Sequence, residues 1–276
     1  MPAVIRKTVT GNMMSTTLHL SDGLRVRALI SGTGAPVVLI HGVGLRAEVW
    51  APQMAALADS HCVIAVDMPG HGGSDPLSGT PELQDFVAWA VRVIETLERT
   101  PVSLAGHSMG ALIAAGLAVD RPDLLARVAL LNAVYRRSPA ARSEVLARAA
   151  DISAGSCSLD NPLDRWFSPD ETVLRKQTGT WLCQNTIQGY GAAYRAFATG
   201  DDSYADRIAR IACPLLVLTG ADDGNSTPDM ARAIAAAAPL GRAVIIPGHR
   251  HMVPLTAPEP VSAALLDWLA TEGAAT

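Results

Sequence analysis

The stretch that decides the fold is Val102–Val119, VSLAGHSMGALIAAGLAV. It opens with a short apolar run, VSLA, of the kind that forms a buried strand, and closes with an Ala- and Leu-rich run of helix-forming residues. Between them stands Gly106-His107-Ser108-Met109-Gly110. A chain that passes from strand to helix in so few residues turns so tightly that side chains two places either side of the serine would collide, and glycine removes the conflict. The predicted result is a hydroxyl held clear of a sheet at a helix N-terminus, where free N–H groups and the helix dipole favour developing negative charge.

Working outward, short β-rich runs alternate with helical stretches. Thr16–Leu20 and Arg25–Ser31 read as an opening hairpin around Ser21-Asp22-Gly23. Pro36–Ile40 is an apolar strand, Ala47–Leu57 a helix, His61–Asp67 a strand, Glu82–Leu97 a helix, and Arg127–Asn132 a strand after the Ser108–Val119 helix. Continuous apolar strands of this type belong to parallel sheets covered on both faces. The intervening helices supply the crossovers that parallel pairing needs. Near Ala133 the rhythm stops. Residues 134–207 lean helical and mix arginines with Trp166, Phe167, Trp181, Tyr190, Tyr194 and Phe197. It resumes with a strand at Pro214–Thr219, a helix from Pro228, a strand at Arg242–Ile246 and a helix at Pro260–Leu269. This predicts a core of 1–133 and 208–276 with a helical insertion at 134–207.

A serine is a poor nucleophile until a base takes its proton. Downstream, PLLVLT runs into Gly220-Ala221-Asp222-Asp223-Gly224, and RAVII runs into Pro247-Gly248-His249-Arg250-His251-Met252. Both loops fall at strand C-terminal ends, the edge at which open α/β sheets place their sites. An acid and an imidazole are therefore available there to Ser108, with two candidates for each role.

The chain resembles the α/β-hydrolase superfamily over nearly its whole length. Four segments carry the likeness: His41-Gly42-Val43-Gly44 followed by Trp50, Asp67–Asp75 (DMPGHGGSD), Gly106–Gly110, and the two late loops. Within the superfamily it is most similar to small esterases and enol-lactone hydrolases. The resemblance implies an α/β-hydrolase fold, a mostly parallel sheet with helices on both faces and an inserted helical cap. It implies Ser108 as nucleophile and, by family pattern, Asp223 over Asp222 as the orienting acid and His251 over His249 as the base. The backbone N–H groups of Val43 and Met109 would bind the oxyanion. The family's usual glycine before the histidine is here Arg250, a departure that bears on the conformation of that loop. His41 and His71 read as structural residues of their loops, His107 as packing or surface, and Arg136, Arg137 and Arg165 as solvated cations in preference to partners of a substrate carboxylate.

The implied reaction is cleavage of a carboxylic ester or lactone of a small to medium organic acid through an acyl-enzyme. The alternative is carbon–carbon hydrolysis of a vinylogous diketone from ring cleavage. Enzymes of that kind usually carry a Gly-Pro-Gly type loop after His-Gly and an asparagine before the serine, where this chain has Val43-Gly44-Leu45 and His107. Aspartate, needed at 108 for dehalogenase or epoxide hydrolase chemistry, is absent.

The 276 residues, 49% hydrophobic and 17% charged, describe a folded domain with a substantial core. A formal net charge of −4 without basic runs points away from nucleic acid and membrane surfaces, and the partner that the resemblance implies is a small-molecule ester or lactone substrate. A homodimer is left open. The N-terminus lacks an uninterrupted apolar segment and the cysteines form no tight framework, which fits a reduced, cytoplasmic protein. No cofactor is implied. Two rival readings have residues of their own. Gly42–Ala47 fits G-x-G-x-x-A, with Asp67 about 20 residues on, as in dinucleotide-binding folds. His249-x-His251 beside Asp222 and Asp223 resembles part of a metal site, though no further ligand stands at a recognisable spacing. A ligand-sensing protein that keeps the triad would share every one of these motifs.

Overall fold

A computed structural model describes residues 7–9, 13–155 and 160–271. Among the described residues nine strands form one sheet in the order β1-β2-β3-β5-β4-β6-β7-β8-β9. They are β1 (Lys7–Val9), β2 (Met13–His19), β3 (Arg25–Ser31), β4 (Ala35–Ile40), β5 (His61–Val66), β6 (Val102–His107), β7 (Leu125–Leu131), β8 (Leu215–Gly220) and β9 (Gly241–Ile246). The hairpin is antiparallel with Thr17 opposite Arg27, and β3 runs antiparallel to β5. From β5 to β9 every pairing is parallel. This is the mostly parallel sheet of an α/β-hydrolase fold. The strand β1 was not foreseen. The expected helix at Ala47–Leu57 divides into a 3₁₀ turn, Ala47–Trp50, and α1 (Ala51–Leu57), with Pro52 near the start of the α-helix.

The centre of the sheet explains its sequence. Val37–Ile40 of β4 and all six residues of β6 are buried, because helices cover both faces. The crossover helices include α2 (Leu83–Thr96), opened by a reciprocal Glu82–Asp85 capping box, and α3 (Met109–Asp120). Met109–Val119 is buried throughout. A helix apolar on all sides must be enclosed, and α3 lies against β6 and β7 on one side and α2 on the other.

Between β7 and β8 the chain leaves the sheet for α4 (Pro139–Ser153), α5 (Asp160–Trp166), α6 (Thr172–Gln184), α7 (Ile187–Thr199) and a 3₁₀ segment, Ala205–Arg210. α4 packs on α7. Ser138 and Thr186 cap α4 and α7 by accepting from the N–H groups of Ala141 and Gly189. The chain then returns through β8, α8 (Pro228–Ala237) and β9 to α9 (Val253–Thr256) and α10 (Pro258–Ala270). The loops after β4, β6, β7, β8 and β9 all emerge at one edge, below the inserted helices.

Candidate active site

The turn after β6 has the predicted geometry. Ser108 sits at φ 55°, ψ −113°, a conformation that costs an L-residue free energy and persists only where its surroundings fix it. A Cβ on Gly106 would lie 2.0 Å from the Gly110 carbonyl oxygen, and one on Gly110 would lie 2.2 Å from that of Ile40. The flanking glycines are therefore steric requirements. The Ser108 N–H donates to Leu131 O at 2.8 Å, tying the turn to the end of β7.

Asp223 and His251 are brought together. His251 Nδ1 and Asp223 Oδ2 are 2.8 Å apart, and both residues are buried. The second carboxylate oxygen, Oδ1, accepts from the N–H groups of Asn225 and Ser226 at 2.8 and 3.1 Å. Oδ2 also accepts from Asn132 Nδ2 at 2.8 Å. Burial works to raise the Asp223 pKa, but the His251 imidazole and these donors outweigh it and hold the carboxyl below its usual range. Asp222 is exposed, and the His249 Nδ1 lies 3.1 Å from Thr256 Oγ1. The two histidines of the loop thus face different partners, which separates them as ligands for a single ion.

Ser108 is 4% exposed and its Cβ would lie 3.1 Å from a Cβ built on Gly42, so the His-Gly loop passes directly over the turn. The structure gives Ser108 Oγ no hydrogen bond to His251 among the described residues. Such bonds are commonly long in the absence of substrate and tighten on binding. No protein acceptor takes the N–H of Val43 or of Met109 among the described residues. Met109 is the first residue of α3, where helical N–H groups have no intrahelical partner.

The supporting histidines are all neutral. His41 donates from Nδ1 to Gly42 O (2.7 Å) and accepts at Nε2 from Met68 N–H (2.9 Å). His71 donates to Pro69 O and accepts from Gly44 N–H at 2.9 Å, which fixes the loop that carries Val43. Burial pushes His71 down to about 4, and His41 well below its usual value. His107, read from sequence as packing or surface, is wholly buried, and its Nε2 donates to His251 O at 2.9 Å. Burial lowers it to about 3. It joins the serine turn to the histidine loop across the sheet edge. Asn132 plays a matching part for the acid loop. Neither role was foreseen. A polar residue at the end of an apolar strand, as at Asn132, was the one signal available.

The inserted helices close over this edge. Trp166 at the end of α5 stacks on the His251 ring, centroids 5.7 Å apart at 30°. Arg250, in place of the family glycine, donates to Asp164 O and Phe167 O at 2.7 and 2.8 Å, so it clasps α5 to the histidine loop. Asn185 Nδ2 donates to Gly44 O at 2.7 Å. Arg137, expected to be solvated, is buried, paired with Asp201 at 3.2 Å and stacked 4.3 Å from the Phe197 ring centroid. Arg136 and Arg165 are exposed as expected, paired with Asp206 and Glu144.

The dinucleotide reading fails on Asp67. Its carboxylate is fully buried and accepts from Ala47 N–H (2.8 Å), Gly73 N–H (2.9 Å) and Arg27 (2.9 Å), leaving nothing for a ribose.

A model of the alpha/beta hydrolase family matches residues 37–264, about the whole span from β4 to α10. The chain belongs to the α/β-hydrolase family. It is 49% identical, over 94% of its length and 99% of the relative's, to (E)-2-((N-methylformamido)methylene)succinate hydrolase of Acinetobacter baylyi. It is 30% identical to a putative non-heme bromoperoxidase, BpoC, of Mycobacterium tuberculosis, over 87% of this chain and 96% of that one. Among solved structures, the enol-lactonase of Burkholderia xenovorans superposes with a TM-score of 0.83 at 25% identity, covering 92% of this chain and all of that one. An esterase of Thermogutta terrifontis superposes equally well, with a TM-score of 0.83 at 25% identity, over 97% and 98% of the two chains. The chain is thus a hydrolase of this family.

Proposed function

We propose that this α/β-hydrolase cleaves the acyl–nitrogen bond of a small, conjugated unsaturated diacid of the N-acylaminomethylene-succinate type. The observation that carries the proposal is the 2.8 Å Asp223–His251 pair behind the strained Ser108 turn, in a chain 49% identical to a hydrolase of such a compound. That compound is neither ester nor lactone. It stands nearer to the alternative expected from sequence, a conjugated ring-cleavage product, than to the ester or lactone reading.

In the proposed reaction His251 takes the Ser108 proton as Oγ bonds to the acyl carbon. The Val43 and Met109 amides hold the oxyanion, and Asp223 holds the imidazolium. The carbon–nitrogen bond then breaks, and His251 returns its proton to the departing nitrogen. Conjugation of that nitrogen with the unsaturated acid makes it a better leaving group than an ordinary amide nitrogen. Water, deprotonated by His251, releases the acyl group from Ser108 as a carboxylic acid. The inserted helices serve as the cap, with Trp166 keeping water from the outer face of His251.

The test is turnover of (E)-2-((N-methylformamido)methylene)succinate, followed by loss of its conjugated absorbance and by assay of formate. Ser108→Ala is expected to keep the fold and lose activity by about 10⁴-fold or more. Carbon–carbon cleavage by the same serine is the second reading, favoured by the conjugated substrate of the relative. It would leave the formyl group on nitrogen, so substrate loss without formate would select it. Near-normal turnover by Ser108→Ala would defeat both.

A further inference from the structure

We propose that Asn185, at the corner between α6 and α7, is a positioning residue for the oxyanion hole, so that the inserted helices fix the turn that carries the Val43 N–H. The inference rests on the reading that the Val43 and Met109 amides serve Ser108 as oxyanion donors, and it adds what holds the first of them in place.

Val43 stands in a four-residue turn, Gly42–Leu45, closed by the Leu45 N–H donating to Gly42 O at 3.1 Å. Gly44 is the third residue of the turn, at φ +81°, the place at which a type II turn needs glycine. Both polar backbone groups of Gly44 are held. Its N–H donates to His71 Nε2 at 2.9 Å, and its carbonyl oxygen accepts from Asn185 Nδ2 at 2.7 Å. A peptide group is planar, so the Gly44 C=O and the Leu45 N–H move as one unit, and the Gly42 C=O and the Val43 N–H as another. Asn185 holds the first unit at Gly44 O. The N–H of that unit, on Leu45, holds the second at Gly42 O. The N–H of the second unit is the oxyanion donor of Val43. Two planes therefore connect the Asn185 amide to the donor.

The corner is seated tightly enough to do this. A Cβ on Gly44 would lie 2.3 Å from Leu182 and 2.9 Å from the Tyr190 ring, and one on Gly70 would lie 2.6 Å from the Gly189 Cα. The end of α6 and the start of α7 thus press on the turn of Val43 and on the loop of His71 together, with Asn185 between them. Asn185 Nδ2 also donates to Trp181 O at 3.0 Å. Both partners are carbonyl oxygens, which fixes the amide with its nitrogen towards the turn. Its Oδ1 is buried with no partner among the described residues, an arrangement that costs stability. A side chain that served only to end α6 would need neither the bond to Gly44 nor the buried oxygen.

The test follows the oxyanion itself. Trifluoroacetone adds to an activated serine: Ser108 Oγ bonds to the carbonyl carbon, the hydroxyl proton passes to His251, and the carbonyl oxygen becomes an oxyanion in the hole. Fluorine NMR measures this adduct in wild type, Asn185→Leu and Asn185→Ala, beside kcat and KM for p-nitrophenyl acetate. Loss of an oxyanion donor costs about 10²–10³-fold. In these variants the donor is tilted and not lost, because His41 Nδ1 still donates to Gly42 O at 2.7 Å. The adduct dissociation constant is expected to rise, and kcat to fall, about 10- to 100-fold in both variants, with KM changed by less than about threefold, since the bond acts on the transition state. A lower Tm with unchanged adduct and kcat would mean that Asn185 only ends α6, and overturns the inference. A rise in KM at constant kcat overturns it too, and so does an effect confined to Asn185→Leu, which marks crowding by the larger side chain. The adduct forms without turnover of the diacid, so the result is independent of that substrate. An adduct present in wild type and absent in Ser108→Ala upholds the serine reading whatever Asn185 does, whereas no adduct in wild type removes the oxyanion reading and this inference with it.

Discussion

Acid should begin to destabilise this protein from near neutrality, well above the range in which carboxylates protonate. The perturbation is a shift from pH 8 to pH 5. His41, His71 and His107 are fully buried, and burial lowers His71 to about 4, His107 to about 3 and His41 well below its ordinary 6.5. In the unfolded chain each titrates near 6.5. Between the native and unfolded values only the unfolded state binds the proton, so stability is full above 6.5 and falls as the pH drops below it. At pH 5 His71 and His107 each contribute a penalty of about 2 kcal/mol, about 4 kcal/mol for the two, with His41 adding in the same direction, against a typical total stability of about 5–15 kcal/mol. Urea unfolding followed by tryptophan fluorescence at pH 8, 7, 6 and 5 measures this directly. The unfolding free energy should change little above pH 7 and fall with a slope of at least about 2.5 kcal/mol per pH unit near pH 5. His107→Gln keeps a donor for His251 O while removing one titrating group, and should recover about 2 kcal/mol of the loss at pH 5. A free energy that changes by less than about 1 kcal/mol between pH 7.5 and pH 5 would refute the reasoning, since neutral burial could not then be the state of these rings.

Two further perturbations address the contacts between the insertion and the catalytic loops. Arg250→Ala removes the two charged hydrogen bonds to Asp164 O and Phe167 O, at 2.7 and 2.8 Å. Allowing for partial exposure, a loss of about 1–2 kcal/mol should raise local opening of α5 about 5- to 30-fold with little change in global Tm, read as faster amide exchange over residues 162–168. Gly44→Ala places a Cβ 2.3 Å from Leu182 and 2.9 Å from Tyr190 at a φ of +81°, so the oxyanion loop must shift. Activity should fall about 10²-fold, chiefly in kcat, and an unchanged kcat would show that this loop does not set the oxyanion donors.

The parts of the site legible in the sequence are those whose geometry is enforced locally. The serine turn could be read because Gly106 and Gly110 answer collisions within five residues of chain, and the strands because burial on both faces demands continuous apolar runs. Asp223 and His251 needed the family pattern. Physically, Asp222 and Asp223 differ only in which one the β8 loop turns inward, and that is decided by Asn132 and by backbone N–H groups of residues 225 and 226. His107 could not be read at all, since its partner is a carbonyl 144 residues away. The insertion hid its contacts for a related reason. Its arginines and aromatics follow no clean 3.6-residue pattern, because α5 and α7 face the catalytic loops, one another and solvent at once. Arg137 was therefore taken for a surface cation, although Asp201 and the Phe197 ring hold it inside.

The acid sensitivity and the organisation of the site have one origin. His41 and His71 each serve as a spacer between backbone groups, donating at Nδ1 to a carbonyl and accepting at Nε2 from an N–H of a neighbouring loop. A protonated ring has no acceptor to offer. Protonation would set two donors against each other at Met68 and at Gly44, on the loops that flank the oxyanion donors. A lysine or a carboxylate could not replace these rings, since neither both donates and accepts in its ordinary charge state. The neutral imidazole does both, so two histidines can fix the loop bearing Val43 without adding a net charge there. Acid should therefore displace these loops and weaken the whole fold over the same pH range, and loss of kcat on acidification should track loss of stability in His71→Gln and in wild type alike.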